Sequence, residues 1–75
     1  MFGICNLAIV PLRSDPSDRS EIVSQLLFGE HFEVLSRDKQ WSKIRMHFDD
    51  YEGWIDPKQY QEISSEEYQR LCELP

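Results

Sequence analysis

The apolar residues of this chain come in short runs, and each run ends at a polar turn. The runs cover residues 6–12, 21–28, 32–35, 41–48 and 51–55. Short runs separated by turn-forming residues are typical of β-strands. A chain of 75 residues built in this way has no room for the crossover helices that parallel strands need. The sequence therefore predicts an all-β fold, a small antiparallel barrel of about five to six short strands.

Alternation within residues 41–48 supports this prediction. Ile44, Met46 and Phe48 alternate there with charged or polar residues. A period of two is typical of a strand that turns one face toward a core. We therefore expect Ile44, Met46 and Phe48 to be buried.

The other segments add detail and leave one alternative open. Residues 21–28 fit a short helix or a strand, because periodicity cannot separate the two over so short a run. Gly29 follows directly, which favours a strand that runs into a tight turn. Residues 56–60 predict one helical turn with Pro57 at its first position, and residues 61–63 are expected to close the barrel.

The tail predicts a short helix. Ser64 followed by Glu67 matches a capping box, in which the two side chains satisfy backbone N–H groups at a helix start. The apolar residues then fall on one helical face: Tyr68, Leu71 and Cys72. Leu74-Pro75 would end the helix. The predicted division is a barrel over residues 1–63 and a short helix or linker toward a following domain over residues 64–75.

The charge balance narrows the expected partners. The net charge is −6, from 14 acidic and 8 basic residues. Nucleic acids and anionic membranes are disfavoured as partners, because binding to phosphates needs a basic surface. A basic or ammonium-bearing ligand fits better, although negative charge also serves solubility alone.

The N-terminal segment predicts neither export nor membrane insertion. Residues 1–12 carry no charged side chain, whereas a signal peptide has a basic start and a small-residue cleavage site. Pro11 interrupts the segment well before the roughly 20 apolar residues of a membrane span. We therefore expect a cytoplasmic location.

The residues that commonly carry chemistry form no recognisable catalytic motif. Cys5 and Cys72 lie near opposite ends of the chain with no CxxC pair, so zinc ligands with a familiar spacing are missing. His31 and His47 are expected to be ordinary surface residues, because nothing local pairs them with a thiol. No glycine-rich phosphate loop occurs. We therefore expect no catalytic residue, no metal and no cofactor within these residues.

Several short motifs resemble a known family. Leu12-Arg13 followed by residues 14–17 (SDPS) resembles the opening of bacterial SH3 domains. Residues 41–44 (WSKI) and 53–55 (GWI) resemble two later strands of the same domains. The resemblance implies a small SH3-like barrel, in agreement with the all-β fold predicted from the pattern.

Two longer segments resemble one branch of that family. Residues 20–30 (SEIVSQLLFGE) and 51–54 (YEGW) are similar to the N-terminal SH3 domain of NlpC-type cysteine peptidases. Those enzymes cleave γ-D-glutamyl-L-diamino-acid bonds in peptidoglycan-derived peptides. The similarity spans about residues 3–63, and it implies a downstream papain-like catalytic domain that these 75 residues do not include.

The resemblance also implies two substrate-binding residues. Glu21 and Tyr51 match the positions that read the free amino end of the stem peptide. From the residues alone, Glu21 could instead cap a turn and Tyr51 could pack beside Trp54. The chain would thus gate substrate access to a cysteine peptidase, without activity of its own. The alternative is a stand-alone cell-wall or protein-binding module with no enzyme attached.

Overall fold

The fold is all-β with one short C-terminal helix, as the sequence predicts. The computed structural model describes residues 1–74. The strands are β1 (Phe2–Ile4), β2 (Ile9–Arg13), β3 (Ile22–Leu27), β4 (His31–Asp38), β5 (Trp41–Met46), β6 (Glu52–Ile55) and β7 (Gln61–Ile63). A 3-10 turn covers Pro57–Gln59, and the helix α1 covers Ser65–Cys72.

The seven strands form one antiparallel sheet that does not close into a barrel. Their order is β3-β2-β6-β5-β4-β1-β7, and within residues 1–74 the end strands β3 and β7 do not pair. The expectation that residues 61–63 close the barrel is therefore wrong. The segment does form a strand, but it pairs with β1, whose other edge is already taken by β4. The prediction of five to six strands missed the N-terminal strand β1.

Residues 21–28, for which the sequence allows a helix or a strand, contain the strand β3. Its chain reverses at Gly29, whose φ of +90° lies in the region that glycine tolerates best. The predicted turn with Pro57 in its first position is also present, and the side chain of Asp56 accepts a hydrogen bond from the N–H of Lys58 at 2.9 Å.

The predicted alternation in β5 is right for two of its three apolar residues. Ile44 is fully buried and Met46 is 5% exposed, whereas Phe48 is 87% exposed. The prediction for Phe48 is wrong because β5 ends at Met46 and the chain turns over residues 47–49. Toward the other end of β5, the residue on the same face as Ile44 and Met46 is Ser42, which is fully buried.

The helix α1 packs on the sheet through the predicted face. The Ser64 hydroxyl accepts a hydrogen bond from the N–H of Glu67 at 3.1 Å, which confirms the predicted N-cap. Tyr68 stacks on Phe2 of β1, with ring centroids 4.1 Å apart. Leu71 and Cys72 on the same face are half-buried. The predicted stop at Leu74-Pro75 falls partly outside the described residues.

Among residues 1–74, no helix combines the length and apolar character needed to cross a bilayer.

Candidate functional site

The loop between β2 and β3 is held in place by its own hydrogen bonds. Arg13 donates from Nη1 to the carbonyl oxygen of Ser20 at 3.1 Å. The Ser20 hydroxyl in turn donates to the carbonyl oxygen of Ser17 at 2.7 Å. These bonds tie both ends of residues 14–20 together, so Glu21, the next residue, has a fixed position.

Glu21 lies at the base of that loop with its side chain exposed. Its carbonyl oxygen accepts a hydrogen bond from the N–H of Ser14 at 2.9 Å, which continues the ladder between β2 and β3. Its carboxylate has no hydrogen-bond or ion-pair partner within residues 1–74. The turn is therefore closed by the backbone of Glu21, and the carboxylate is available to a ligand.

Tyr51 lies at the equivalent point before β6. Its N–H donates to the carboxylate of Asp49 at 3.1 Å, and its carbonyl oxygen accepts from the N–H of Met46 at 2.9 Å. These bonds fix the turn, while the Tyr51 side chain is 43% exposed. In the part of the chain that the structure describes, its ring does not stack on Trp54.

Strand register brings Glu21 and Tyr51 to the same end of the three neighbouring strands β3, β2 and β6. Arg13 at the end of β2 pairs with Ile22 on one side and with Trp54 on the other. Ile22 is the first residue of β3 and Trp54 is the third residue of β6, so Glu21 lies one residue, and Tyr51 three residues, beyond the position level with Arg13. Two interstrand spacings amount to about 10 Å, and Tyr51 is also offset along the strands, so the two side chains do not touch and a shared ligand would have to lie between them.

One pocket is lined by neither Glu21 nor Tyr51. It has a volume of about 470 Å³ and is open to solvent. Its lining is Phe28, Gly29, Glu30, His31, His47, Phe48, Leu71 and Leu74. Phe28 is 73% exposed and Phe48 87% exposed, which is unusual for rings of this size outside an interaction surface.

Three residues that the sequence analysis sets aside meet beside this pocket. The rings of His31 and His47 stack with centroids 4.7 Å apart, and the Cys72 sulfur lies 3.4 Å from Nδ1 of His47. His31 is not an ordinary surface residue, because its Nε2 is buried. Burial and the neighbouring charge of His47 lower the pKa of His31 below 6.5. Burial, followed by the Cys72 thiol, raises the pKa of the Tyr68 phenol to about 12.

A comparison with protein families matches residues 12–59 to the bacterial dipeptidyl-peptidase SH3 domain. The chain belongs to this family. The matched segment runs from β2 to the 3-10 turn and includes both Glu21 and Tyr51. A search of curated proteins finds no significant match. The strand β1 and the helix α1 of this SH3 domain lie outside the matched segment, and Cys72 lies there with them.

Membership of a peptidase-associated SH3 family indicates a binding module. It does not extend to the attachment of an NlpC-type catalytic domain or to a peptide substrate.

Proposed function

We propose that this SH3 domain recognises the free amino end of peptidoglycan stem peptides and gates their access to an NlpC-type cysteine peptidase. The domain itself is non-catalytic in this proposal. The observation that carries it is the pair of exposed side chains, Glu21 and Tyr51, at the same end of the nearby strands β3 and β6 within the family-matched segment. Neither side chain has a hydrogen-bond partner within residues 1–74, so both are free to receive a ligand.

The chemistry of the two groups fits an ammonium ion. A free amino terminus is a compact cation with three hydrogen-bond donors, and a carboxylate is acceptor-only. The Tyr51 phenol can add one hydrogen bond and an apolar wall for a small side chain such as that of alanine. The net charge of −6 also favours the approach of a cation over that of an anion.

The apolar pocket suits the proposed catalytic domain. Phe48 lies at the tip of the turn that leads from β5 to Tyr51. A papain-like domain that covered Phe28 and Phe48 would therefore stand beside Tyr51 and could supply the opposite wall of the peptide site. Leu71 and Leu74 line the same pocket, so α1 would form part of this interface.

The remaining features of the proposal concern context. The ligand is a peptide released from the cell wall, neither nucleic acid nor membrane lipid, and the proposed compartment is the cytoplasm, where such peptides would be recycled. The alternative is a stand-alone wall-binding or protein-binding module. It predicts binding without dependence on a free amine, and this difference makes the two separable.

The test is a titration of the isotopically labelled chain with an L-alanyl-γ-D-glutamyl-diaminopimelate peptide, followed by NMR. We expect shifts at residues 13–21 and 49–54, and loss of these shifts when the peptide amine is acetylated. A hydrogen bond to a charged group is worth about 1.5–3 kcal/mol, so Glu21→Gln should weaken binding roughly ten- to a hundredfold.

Glu62→Gln is the matched control, because Glu62 is an exposed glutamate on β7, away from the Glu21 edge. It removes the same charge and should leave binding unchanged. Equal weakening by both variants would mean that Glu21 contributes to binding only through the net charge of the domain. Equal binding of the free and acetylated peptides would overturn the proposal.

A further inference from the structure

Three donor atoms from three separate elements converge next to the apolar pocket. They belong to His31 at the start of β4, His47 just after β5 and Cys72 at the end of α1. One ligand atom of each residue lies within 4.8 Å of the other two. Two imidazoles and one thiol at such distances are a donor set that transition metals bind.

The sheet and the helix hold these residues by independent means. Phe32 pairs with Met46, and the N–H of His47 donates to the carbonyl oxygen of His31 at 3.2 Å. The two histidines are therefore cross-strand neighbours whose rings stack. Tyr68 packs on Phe2, and Cys72 follows Tyr68 by four residues, so the helical repeat directs both toward the same side.

The state of His31 is the second observation that points to a ligand. Its Nε2 is buried and has no hydrogen-bond partner within residues 1–74. A buried polar atom without a partner costs free energy and is rare in folded proteins. A bound ion would satisfy this atom.

A thiol beside an imidazole could also serve as a nucleophile and its base. That arrangement involves only Cys72 and His47, and it leaves Nε2 of His31 without a partner. Metal binding uses all three donors, and coordination through Nε2 of His31 would account for that buried nitrogen.

We propose that His31, His47 and Cys72 form a binding site for one divalent metal ion, and that zinc fits it best. Zinc prefers nitrogen and sulfur ligands in a tetrahedral arrangement, with bonds of about 2.0–2.1 Å to nitrogen and about 2.3 Å to sulfur. This geometry separates nitrogen and sulfur ligands by about 3.6 Å. The Cys72 sulfur and Nδ1 of His47 are 3.4 Å apart, so only His31 has to approach further.

Three protein ligands leave the fourth position of the ion open. Because both histidines line the pocket, water or a ligand in the pocket would complete the coordination. Glu30 also lines the pocket, but its carboxylate already accepts a hydrogen bond from the N–H of Leu27 at 2.7 Å. The site requires α1 to be docked on the sheet, and it is independent of peptide recognition at Glu21 and Tyr51.

Cobalt(II) titration of the reduced 75-residue chain tests the site, because cobalt reports its ligands in its absorption spectrum. We expect a thiolate-to-cobalt charge-transfer band and the visible bands of tetrahedral cobalt, saturating at one ion per chain. Zinc should displace the cobalt and slow alkylation of Cys72, measured by mass spectrometry. Cys5 is 1% exposed and serves as the unreactive internal reference.

Variants assign the ligands. Cys72→Ser should abolish the charge-transfer band, and His31→Gln and His47→Gln should each weaken cobalt binding by at least about tenfold, the smallest effect usual for residues that support a metal ligand. Glu73→Gln removes a neighbouring carboxylate and should change neither result. Circular dichroism confirms that each variant is folded.

Three outcomes would overturn the proposal. They are the absence of a thiolate band in the folded wild type, a band that survives Cys72→Ser, and saturation at one ion per two chains.

Discussion

A buried hydrogen bond ties Ser42, the second residue of β5, to Tyr60, which precedes β7. The Ser42 hydroxyl and the Tyr60 hydroxyl are 2.9 Å apart, Ser42 is fully buried and Tyr60 is 8% exposed. The Tyr60 ring also meets Phe32 edge to face at 5.1 Å. Tyr60 therefore makes a buried polar contact through its hydroxyl and an apolar core contact through its ring.

Tyr60→Phe keeps the ring and removes only the hydroxyl. We expect the free energy of unfolding to fall by about 1–3 kcal/mol, because the Ser42 hydroxyl would stay buried without a partner. Urea denaturation measures this. Adding Ser42→Ala should cost less than the sum of the two single changes. Strict additivity would mean that the two hydroxyls do not interact.

Gly53 is required by close packing between β6 and β2. A Cβ atom at this position would lie 2.5 Å from Cγ of Leu12, a side chain that is fully buried. Gly53→Ala should therefore destabilise the fold by about 1–3 kcal/mol, the usual range for overpacking. Denaturation of Gly53→Ala in a Leu12→Ala background is the control, since the clash is then absent and the glycine substitution should cost less. An equal cost in both backgrounds would contradict this account.

At the scale of elements, the sequence predicts much of the sheet but not how the strands align. The alternation of Ile44 and Met46 predicts β5, yet Phe48 follows the same pattern and lies outside the strand. A strand end is set by the turn that follows, here residues 47–49, and periodicity does not reveal it.

Register explains why the histidine pair could not be predicted. The turn between β4 and β5 pairs Asp38 with Trp41, and an unbroken ladder from there would set His31 opposite Phe48. A register shift between Val34 and Ser36 moves His31 opposite His47 instead. Such a bulge depends on packing that a sequence pattern does not contain.

The helix α1 depends on its N-cap more than a longer helix would, because so short a segment is unstable alone. Ser64→Ala should cost about 1 kcal/mol, which corresponds to roughly fivefold faster amide exchange across α1. Ser65→Ala is the matched control, since Ser65 is the first helical residue and its neighbour Ser64 provides the cap. Equal exchange rates in the two variants would show that packing of Tyr68 alone holds the helix.

At the scale of the whole molecule, family membership and all-β class follow from short motifs, while the site does not. Glu21 and Tyr51 are exposed residues that physical patterns treat as ordinary surface positions, and only the resemblance singles them out. Their location at the same end of nearby strands depends on β2 lying between β3 and β6, which is a property of the topology. The open sheet and the exposed rings of Phe28 and Phe48 likewise arise only in the assembled fold.

The proposed function rests on recognition of a free peptide amine by Glu21. The most direct measurement is the ratio of kcat/KM for free-amine and acetylated stem peptides, with this domain joined to the proposed NlpC-type catalytic domain, compared between wild type and Glu21→Gln. The isolated residues 1–75 should release no product and serve as the control for contaminating activity. We predict a strong preference for the free amine in wild type and loss of most of it in Glu21→Gln. An unchanged ratio in Glu21→Gln, or no preference for the free amine in wild type, would contradict the proposal.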